Sequence, residues 1–300
     1  MNISSSSVVL LCLHTGRMMN FAVLILILTT GAAFGEGEFP LDMKENSVDD
    51  QYQGCAMNMS HMVENTFLKQ ELESTKNFSA AWSKGQQWCS SNKKGDDLGE
   101  MNYCIALYVY TLLDPPVYQA FNSDTRNGTA QYTGKTYHWY SLHFLLARAV
   151  QVLKNQERKN GIKCRSVYRG TEDPFEKDVL NKEIRFGSFT SSSLDPNVTT
   201  SFGKVSCFEI NTCHGADITD YSANPHQKEV LIPPYEIFTV TKVSEKRNNP
   251  WCGTVYKLES TGIRSDLNCK VVLKQASGKS LIYHKYVQPI VDFIHSLFFL

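Results

Sequence analysis

Nine cysteines are spread along this 300-residue chain, and they constrain its fold more than any other feature. Cys12 lies in an N-terminal segment with the features of a secretory signal, so eight remain once that segment is removed: Cys55, Cys89, Cys104, Cys164, Cys207, Cys213, Cys252 and Cys269. An even number in an exported chain predicts disulfides, and no Cys-x-x-Cys pair or nearby His spacing indicates zinc or another metal site. Spacing alone allows many pairings among these eight.

The N-terminal segment has three parts: a basic residue, Arg17, an apolar run at 21–28, and a stretch of small residues at 31–35. These are the parts of a secretory signal peptide, and we place cleavage after Ala33 or Gly35. A membrane anchor is the alternative, but the apolar run is short and small residues follow it. Residues 1–35 are therefore predicted to be a signal peptide.

Export is consistent with two further features. Beyond the predicted signal peptide, four sequons, at Asn58, Asn77, Asn127 and Asn197, predict N-glycosylation of a secreted protein or of one on the extracellular face of the plasma membrane. At the C-terminus, residues 276–278 could be the small-residue site of a lipid anchor whose signal ends at residue 300, and a terminal amphipathic helix is the alternative. Residues 36–275 would then form a single domain.

Composition limits the classes of partner. The chain is 42% hydrophobic, enough for one sizeable core, and its 30 basic side chains balance 30 acidic ones. No basic run is interleaved with aromatic residues, so nucleic acid is not an expected partner.

The pattern of apolar residues divides the chain in two. Helices are predicted in the first half, at residues 52–70, 78–88, 101–113 and 140–155, with a polar loop at 124–134. The last of these helices is the clearest, because its leucines fall on one stripe. Strands are predicted after Gly161, at residues 164–168, 185–191, 205–210, 229–232, 237–243, 254–259 and 271–274. The fold class is therefore α+β, with a helical half packed on a mixed or antiparallel sheet.

Three polar motifs fall on predicted strands: Tyr168-Arg169-Gly170, the serine-rich segment around Ser191, and the segment 227–232. In the last of these, Glu229 begins an apolar strand, and period-two alternation would put Gln227 on the same face. Each motif by itself also fits an ordinary surface strand.

Together and in this order, the motifs resemble the Arg, Ser-x-Ser and Glu-x-Glu triplet of the vertebrate ecto-ADP-ribosyltransferases. The resemblance extends from about Tyr52 to Leu273 and includes the Phe202-Gly203 step. It implies cleavage of the nicotinamide–ribose bond of NAD, or of NADP, and transfer of ADP-ribose to an acceptor protein that the sequence does not identify. It also implies two disulfides, Cys164–Cys213 and Cys55–Cys269.

The resemblance assigns roles that fit the chemistry of each side chain. Glu229 would stabilise the oxocarbenium-like ribose as the bond breaks. Arg169 would hold phosphate oxygens with its planar fork, and Gly170 would hydrogen-bond the nicotinamide amide. Ser191 would donate to a ribose or to the catalytic carboxylate, and Phe202 would either stack on the nicotinamide or belong to the core.

Gln227 departs from the family pattern. Members that modify arginine carry Glu two residues before the catalytic Glu, because a guanidinium acceptor needs a negative charge that an amide lacks. Arginine specificity is thus doubtful, while NAD cleavage is less affected. An NAD glycohydrolase with the same site, or a non-catalytic binding protein with the same fold, are the alternatives.

Overall fold

The computed structural model describes residues 37–273 except 93, 95–97 and 246–251. All of these residues belong to one compact unit. The predicted signal peptide and the predicted lipid-anchor signal lie outside the described residues. Within them, no helix is both long and apolar enough to cross a membrane.

Helices precede strands, which confirms the predicted α+β class. The helices are α1 (Ala56–Met62), α2 (Leu68–Ser74), α3 (Lys76–Asn92), α4 (Met101–Thr111), α5 (Val117–Arg126), α6 (Thr129–Gly134), α7 (Tyr140–Lys159) and the short α8 (Pro196–Thr199). A π-helical turn, Val63–Phe67, joins α1 to α2.

Two helices form the centre of the helical half. α7 buries the predicted leucine stripe, including Leu142, Leu145 and Leu146. α4 is buried on nearly every side because most of its residues are apolar. Gly85 of α3 lets the two helices approach closely, since an added Cβ would lie 3.1 Å from Ile105. A disulfide between Cys89 and Cys104 joins α3 to α4.

Eight strands form one mixed sheet. They are β1 (Arg165–Thr171), β2 (Glu183–Ile184), β3 (Thr190–Ser193), β4 (Ser206–Thr212), β5 (Ala216–Asp217), β6 (Glu229–Ile232), β7 (Glu236–Glu245) and β8 (Thr254–Ile263). Their order is β2-β7-β8-β4-β1-β3-β6-β5. Only the β4–β8 pair is parallel among the pairings of the described strands.

The sheet separates two apolar cores, and strand β6 contributes to both. Leu231 packs into the core that contains the helices, whereas Val230 and Ile232 pack into a second core formed by the sheet. Alternate residues of a strand point to opposite faces, so a strand buried on both faces is apolar at successive positions.

Disulfides close the fold at four places. Cys55–Cys269 and Cys164–Cys213 are the two pairs that the resemblance implies. The second joins the residues that flank paired ends of β1 and β4, where Arg165 is opposite Thr212. Cys89–Cys104 and Cys207–Cys252 use the cysteines that sequence reasoning leaves without partners.

Three predicted elements are wrong. The predicted strand at 271–274 is helical as far as the structure describes it, because Val271 and Val272 pack into the helical core and tertiary context overrides their strand propensity. The predicted loop at 124–134 contains the end of α5 and all of α6. Of the predicted strand at 185–191, only Thr190 and Ser191 lie in a strand, β3, because the chain turns at Gly187, whose φ is +74°.

A buried ion pair ties the N-terminal segment to the sheet. The Asp49 carboxylate lies 2.6 Å from Nη1 of Arg185, and both side chains are at most 1% exposed. Asp49 also accepts backbone N–H groups from Asp266 and Leu267, so the same carboxylate holds the segment that follows β8. Removing one partner of such a pair leaves the other charge buried and uncompensated.

We therefore expect Asp49→Ala to lower the free energy of unfolding by about 3–5 kcal/mol. Asp42→Ala is the matched control, because Asp42 pairs with Lys44 at 3.2 Å but is 54% exposed, and its loss should cost about 1 kcal/mol or less. Chemical denaturation of both variants gives the comparison. Equal losses would show that the Arg185 pair contributes nothing beyond a surface ion pair.

Candidate functional site

A cavity of about 250 Å³ opens between the helical half and the centre of the sheet. Strands β1, β3 and the start of β6 supply one side, and α4, α5 and the segment between them supply the other. Its lining residues are Tyr110, Thr111, Leu113, Tyr118, Tyr168, Arg169, Gly170, Thr171, Ser191, Ser192, Ser193, Thr199, Phe202, Gln227 and Glu229. Every residue that the sequence motifs single out for chemistry thus borders one space.

Strand pairing brings two of these residues together. In the antiparallel β3–β6 pair, Ser193 is opposite Glu229 and Ser191 is opposite Leu231. Ser191 and Glu229 are therefore diagonal neighbours on one face of the sheet. A left-handed residue, Lys228 with φ of 46°, turns the chain into β6, and Glu229 is the first residue of that strand.

Glu229 is a buried carboxyl group with an unsatisfied oxygen. Its side chain belongs to a residue that is only 4% exposed, and Oε1 has no hydrogen-bond partner. Burial raises its pKa from 4.5 to about 7, although a hydrogen bond with Ser191 and the positive charge of Arg169 act in the opposite direction. A buried acid with a perturbed pKa and a free oxygen in a cavity is typical of a functional group.

Arg169 is held beside this carboxyl group. Its Nη1 donates a hydrogen bond of 2.7 Å to the backbone oxygen of Ser191, which orients the guanidinium across β3. Burial lowers the pKa of Arg169, but a guanidinium remains protonated at any physiological pH. The cavity therefore contains a fixed positive charge with further N–H groups available for an anionic ligand.

Gly170 is required by packing within the protein. A Cβ at this position would lie 2.5 Å from the backbone oxygens of both Thr199 and Gly203. This contact seats the segment containing Phe202 against β1. Phe202 itself is 52% exposed and lines the cavity, so it does not belong to the core, and its ring is accessible for stacking.

Gln227 lines the same cavity, but the geometric reasoning from strand alternation is wrong. The residue ends a 3₁₀ turn, Pro225–Gln227, and does not belong to β6. Ser193 Oγ holds this turn by donating a 2.7 Å hydrogen bond to the backbone oxygen of Gln227. The Lys228 side chain does not line the cavity. Its Nζ lies 3.1 Å from Oδ2 of Asp195, with which it forms an ion pair.

Sequence patterns do not single out two tyrosines of the cavity, Tyr110 and Tyr118, and they give no role to Tyr168 of the first motif. Tyr110 is the most constrained: its hydroxyl donates to the Phe189 oxygen at 2.9 Å and accepts from Asn122 at 3.0 Å. Burial, followed by the charge of Glu229, raises its pKa to about 12. Its only sequence signal is a polar-tipped side chain within an otherwise apolar helix.

No group of three or more His, Cys, Asp or Glu side chains that could hold a metal ion occurs among the residues with described positions. The four sequon asparagines, Asn58, Asn77, Asn127 and Asn197, are all exposed.

Known proteins share both the sequence and this architecture. The family described as NAD:arginine ADP-ribosyltransferase matches residues 41–254. Ecto-ADP-ribosyltransferase 4 of Mus musculus is 33% identical over 277 residues, covering 88% of this chain and 87% of that protein. GPI-linked NAD(P)(+)--arginine ADP-ribosyltransferase 1 of Mus musculus is 32% identical over 248 residues, covering 78% of this chain and 74% of that protein.

A solved structure agrees as well. A variant of the eukaryotic mono-ADP-ribosyltransferase ART2.2, crystallised in complex with NAD, superposes with a TM-score of 0.64 at 29% identity, covering 77% of this chain and 98% of that one. The family match spans more than half of the chain, and the relatives cover most of it. The resemblance drawn from the three motifs is thereby confirmed, and the chain belongs to the NAD:arginine ADP-ribosyltransferase family.

Proposed function

We propose that this chain is a mono-ADP-ribosyltransferase that cleaves the nicotinamide–ribose bond of NAD, or of NADP, and transfers ADP-ribose to a protein side chain. The observation that carries the proposal is the buried Glu229 carboxyl group, whose free oxygen borders a cavity shared with Arg169 and Ser191. Membership of the family and the likeness to a structure solved with NAD support it.

Glu229 supplies the charge that the reaction needs. As the bond to nicotinamide breaks, the ribose becomes oxocarbenium-like, and an ionised carboxylate stabilises this state more than the ground state. Two unit charges at about 4 Å interact by roughly 4 kcal/mol at an effective dielectric of about 20. This energy corresponds to a rate factor of about a thousand.

The remaining residues bind and orient NAD. Arg169 uses the N–H groups not engaged with the Ser191 oxygen to hold the diphosphate as a fork. Gly170 offers its backbone to the nicotinamide amide, and Phe202 stacks on the ring. Ser191 holds the rotamer of Glu229 through their hydrogen bond.

Gln227 selects the acceptor. Glu229 is the only acidic residue that lines the cavity among the described residues, so no second carboxylate is present there to activate a guanidinium. This observation favours a second candidate function, an NAD glycohydrolase in which water replaces the acceptor. A chain that binds NAD without cleaving it would be a non-catalytic binding protein.

The site operates outside the cell in this proposal. The exported, glycosylated chain is secreted or held on the extracellular face of the plasma membrane. The relative named GPI-linked supports attachment through a lipid anchor at the C-terminus, with residues 276–300 as its signal.

NAD labelled in its adenine ring tests the function. Label on an acceptor protein indicates transfer, free ADP-ribose alone indicates hydrolysis, and binding without cleavage indicates neither activity. Glu229→Gln should lower the rate of cleavage by about two to three orders of magnitude. Glu183→Gln, at an exposed residue of β2, is the control and should cleave NAD normally. Full activity of Glu229→Gln would remove this residue from the mechanism.

The pH dependence follows from the raised pKa of Glu229, which is about 7. Catalysis requires the ionised form, so kcat/KM for NAD cleavage should fall about tenfold per pH unit below that value in the free enzyme. Initial rates between about pH 3.5 and about pH 9 would measure this profile. A fall that begins only near pH 4.5, the ordinary value for this group, would mean that burial does not control its ionisation.

Restoring a carboxylate at position 227 tests acceptor choice. Gln227→Glu should create or strongly raise transfer to agmatine, a small guanidine, because it supplies the missing negative charge. NAD cleavage without agmatine should change much less. Lys228→Gln makes the same change in net charge outside the cavity and is the matched control. A wild type already fully active on agmatine would show that the amide suffices, and inactivity of Gln227→Glu on agmatine would place selection elsewhere.

A further inference from the structure

One of the four sequons lies beside the cavity. Asn197 is exposed and belongs to α8, and Thr199, which completes its sequon, is one of the residues that line the cavity. Asn77, by comparison, lies on α3, which contributes no residue to that lining. The two sites therefore offer a natural comparison between a glycan at the cleft and one outside it.

Hydrogen bonds connect Asn197, through Asp195, to Lys228 beside the cleft. Its Nδ2 donates a hydrogen bond of 3.2 Å to Oδ1 of Asp195, and its backbone N–H donates to the same oxygen at 3.0 Å. The other oxygen of Asp195 accepts a 3.1 Å hydrogen bond from Lys228. Lys228 stands in the chain directly between Gln227 and Glu229, so the glycan attachment atom is one carboxylate away from the catalytic segment.

We propose that Asn197 carries an N-linked glycan at the acceptor side of the cleft, and that this glycan restricts acceptors to side chains on extended segments by keeping folded protein surfaces away. The restriction on acceptors rests on the proposed function. The presence of the glycan and its shielding of Lys228 do not depend on that function.

The modification leaves the local geometry intact. The new bond joins Nδ2 of Asn197 to C1 of the first N-acetylglucosamine, and the bond that breaks joins C1 to the diphosphate of a lipid-linked oligosaccharide donor. One amide proton leaves, and one N–H remains on Nδ2, so the hydrogen bond to Asp195 can persist. The exposed Asn197 side chain leaves the sugars in solvent.

A glycan at Asn197 discriminates between acceptors by their size and shape. It is bulky and hydrated, so a broad folded surface that approaches Lys228 must displace it and its water. A single side chain on an extended segment needs only a narrow approach to Gln227 and Glu229. NAD, which is small, enters without contacting a folded surface, and its cleavage does not depend on the glycan.

The shielding is measured without any enzymatic reaction. The full chain, produced in glycosylating cells, is treated with an amine-reactive acetylating reagent or with the same reactive group on a large polyethylene glycol, and modification of Lys228 is followed by peptide mass spectrometry. In Asn197→Gln, the ratio of large-reagent to small-reagent rates should rise several-fold over wild type. Asn77→Gln should leave the ratio unchanged.

A second route removes the sugars without changing the sequence. Wild type made with high-mannose glycans and trimmed to one sugar per site by an endoglycosidase should behave like Asn197→Gln. An unmodified Asn197 in the wild-type glycopeptides would overturn the proposal. So would a ratio of rates that is the same in wild type, Asn197→Gln and the trimmed protein.

Acceptor choice is tested with one protein in two states. Native lysozyme and reduced, carboxymethylated lysozyme offer the same acceptor side chains on folded and extended chains. Wild type should label the extended form preferentially, and Asn197→Gln should narrow that preference several-fold with unchanged NAD cleavage. An equal preference for the extended form in wild type and in Asn197→Gln would show that the glycan has no role in acceptor choice. A wild type that cleaves no NAD contradicts the proposed function and the role in acceptor choice together, while the Lys228 measurement still decides whether the glycan shields Lys228.

Discussion

Antiparallel pairing between β3 and β6 is the interaction on which the candidate site depends. It places Ser191 diagonally across from Glu229, and it fixes the backbone oxygen of Ser191 that orients Arg169. Three side chains from separate parts of the sequence thus take their positions from one short ladder. Because strand pairing sets both register and facing, a slip of one residue in this pair would turn Glu229 to the face opposite Ser191.

Burial of Glu229 lowers the stability of the fold when this residue is ionised. Raising the pKa of Glu229 from 4.5 to about 7 means that ionisation at high pH destabilises the folded state, by about 3 kcal/mol in the limit. The unfolded chain loses this proton near 4.5 and the folded chain near 7, so stability falls as pH rises between those values. Four disulfides and the buried Arg185–Asp49 pair lie elsewhere and stabilise the surrounding framework.

The sequence predicts an element correctly where burial determines the spacing of its apolar residues. The leucine stripe of α7 and the apolar strand after Glu229 were predictable, because burial imposes their periodicity. The 3₁₀ turn ending at Gln227 was not predictable from alternation, since the left-handed Lys228 interrupts it. Tyr110 was not predictable because its helix is mostly apolar, and only tertiary contacts with Phe189 and Asn122 reveal its fixed hydroxyl.

Gln227 has a consequence for Glu229 that goes beyond the acceptor. A carboxylate at position 227 would add a like charge at the same cavity, and like charges raise the pKa of a buried acid further. An amide adds no such charge, so the Arg169 guanidinium acts on Glu229 without opposition from a second acid. The neutral side chain therefore favours the ionised form of Glu229 near neutral pH. Under the proposed function, the same side chain withholds the charge that would activate a guanidinium acceptor. A neutral residue at position 227 thus favours ionisation of the proposed catalytic group, whereas an acidic residue there would favour activation of an arginine acceptor.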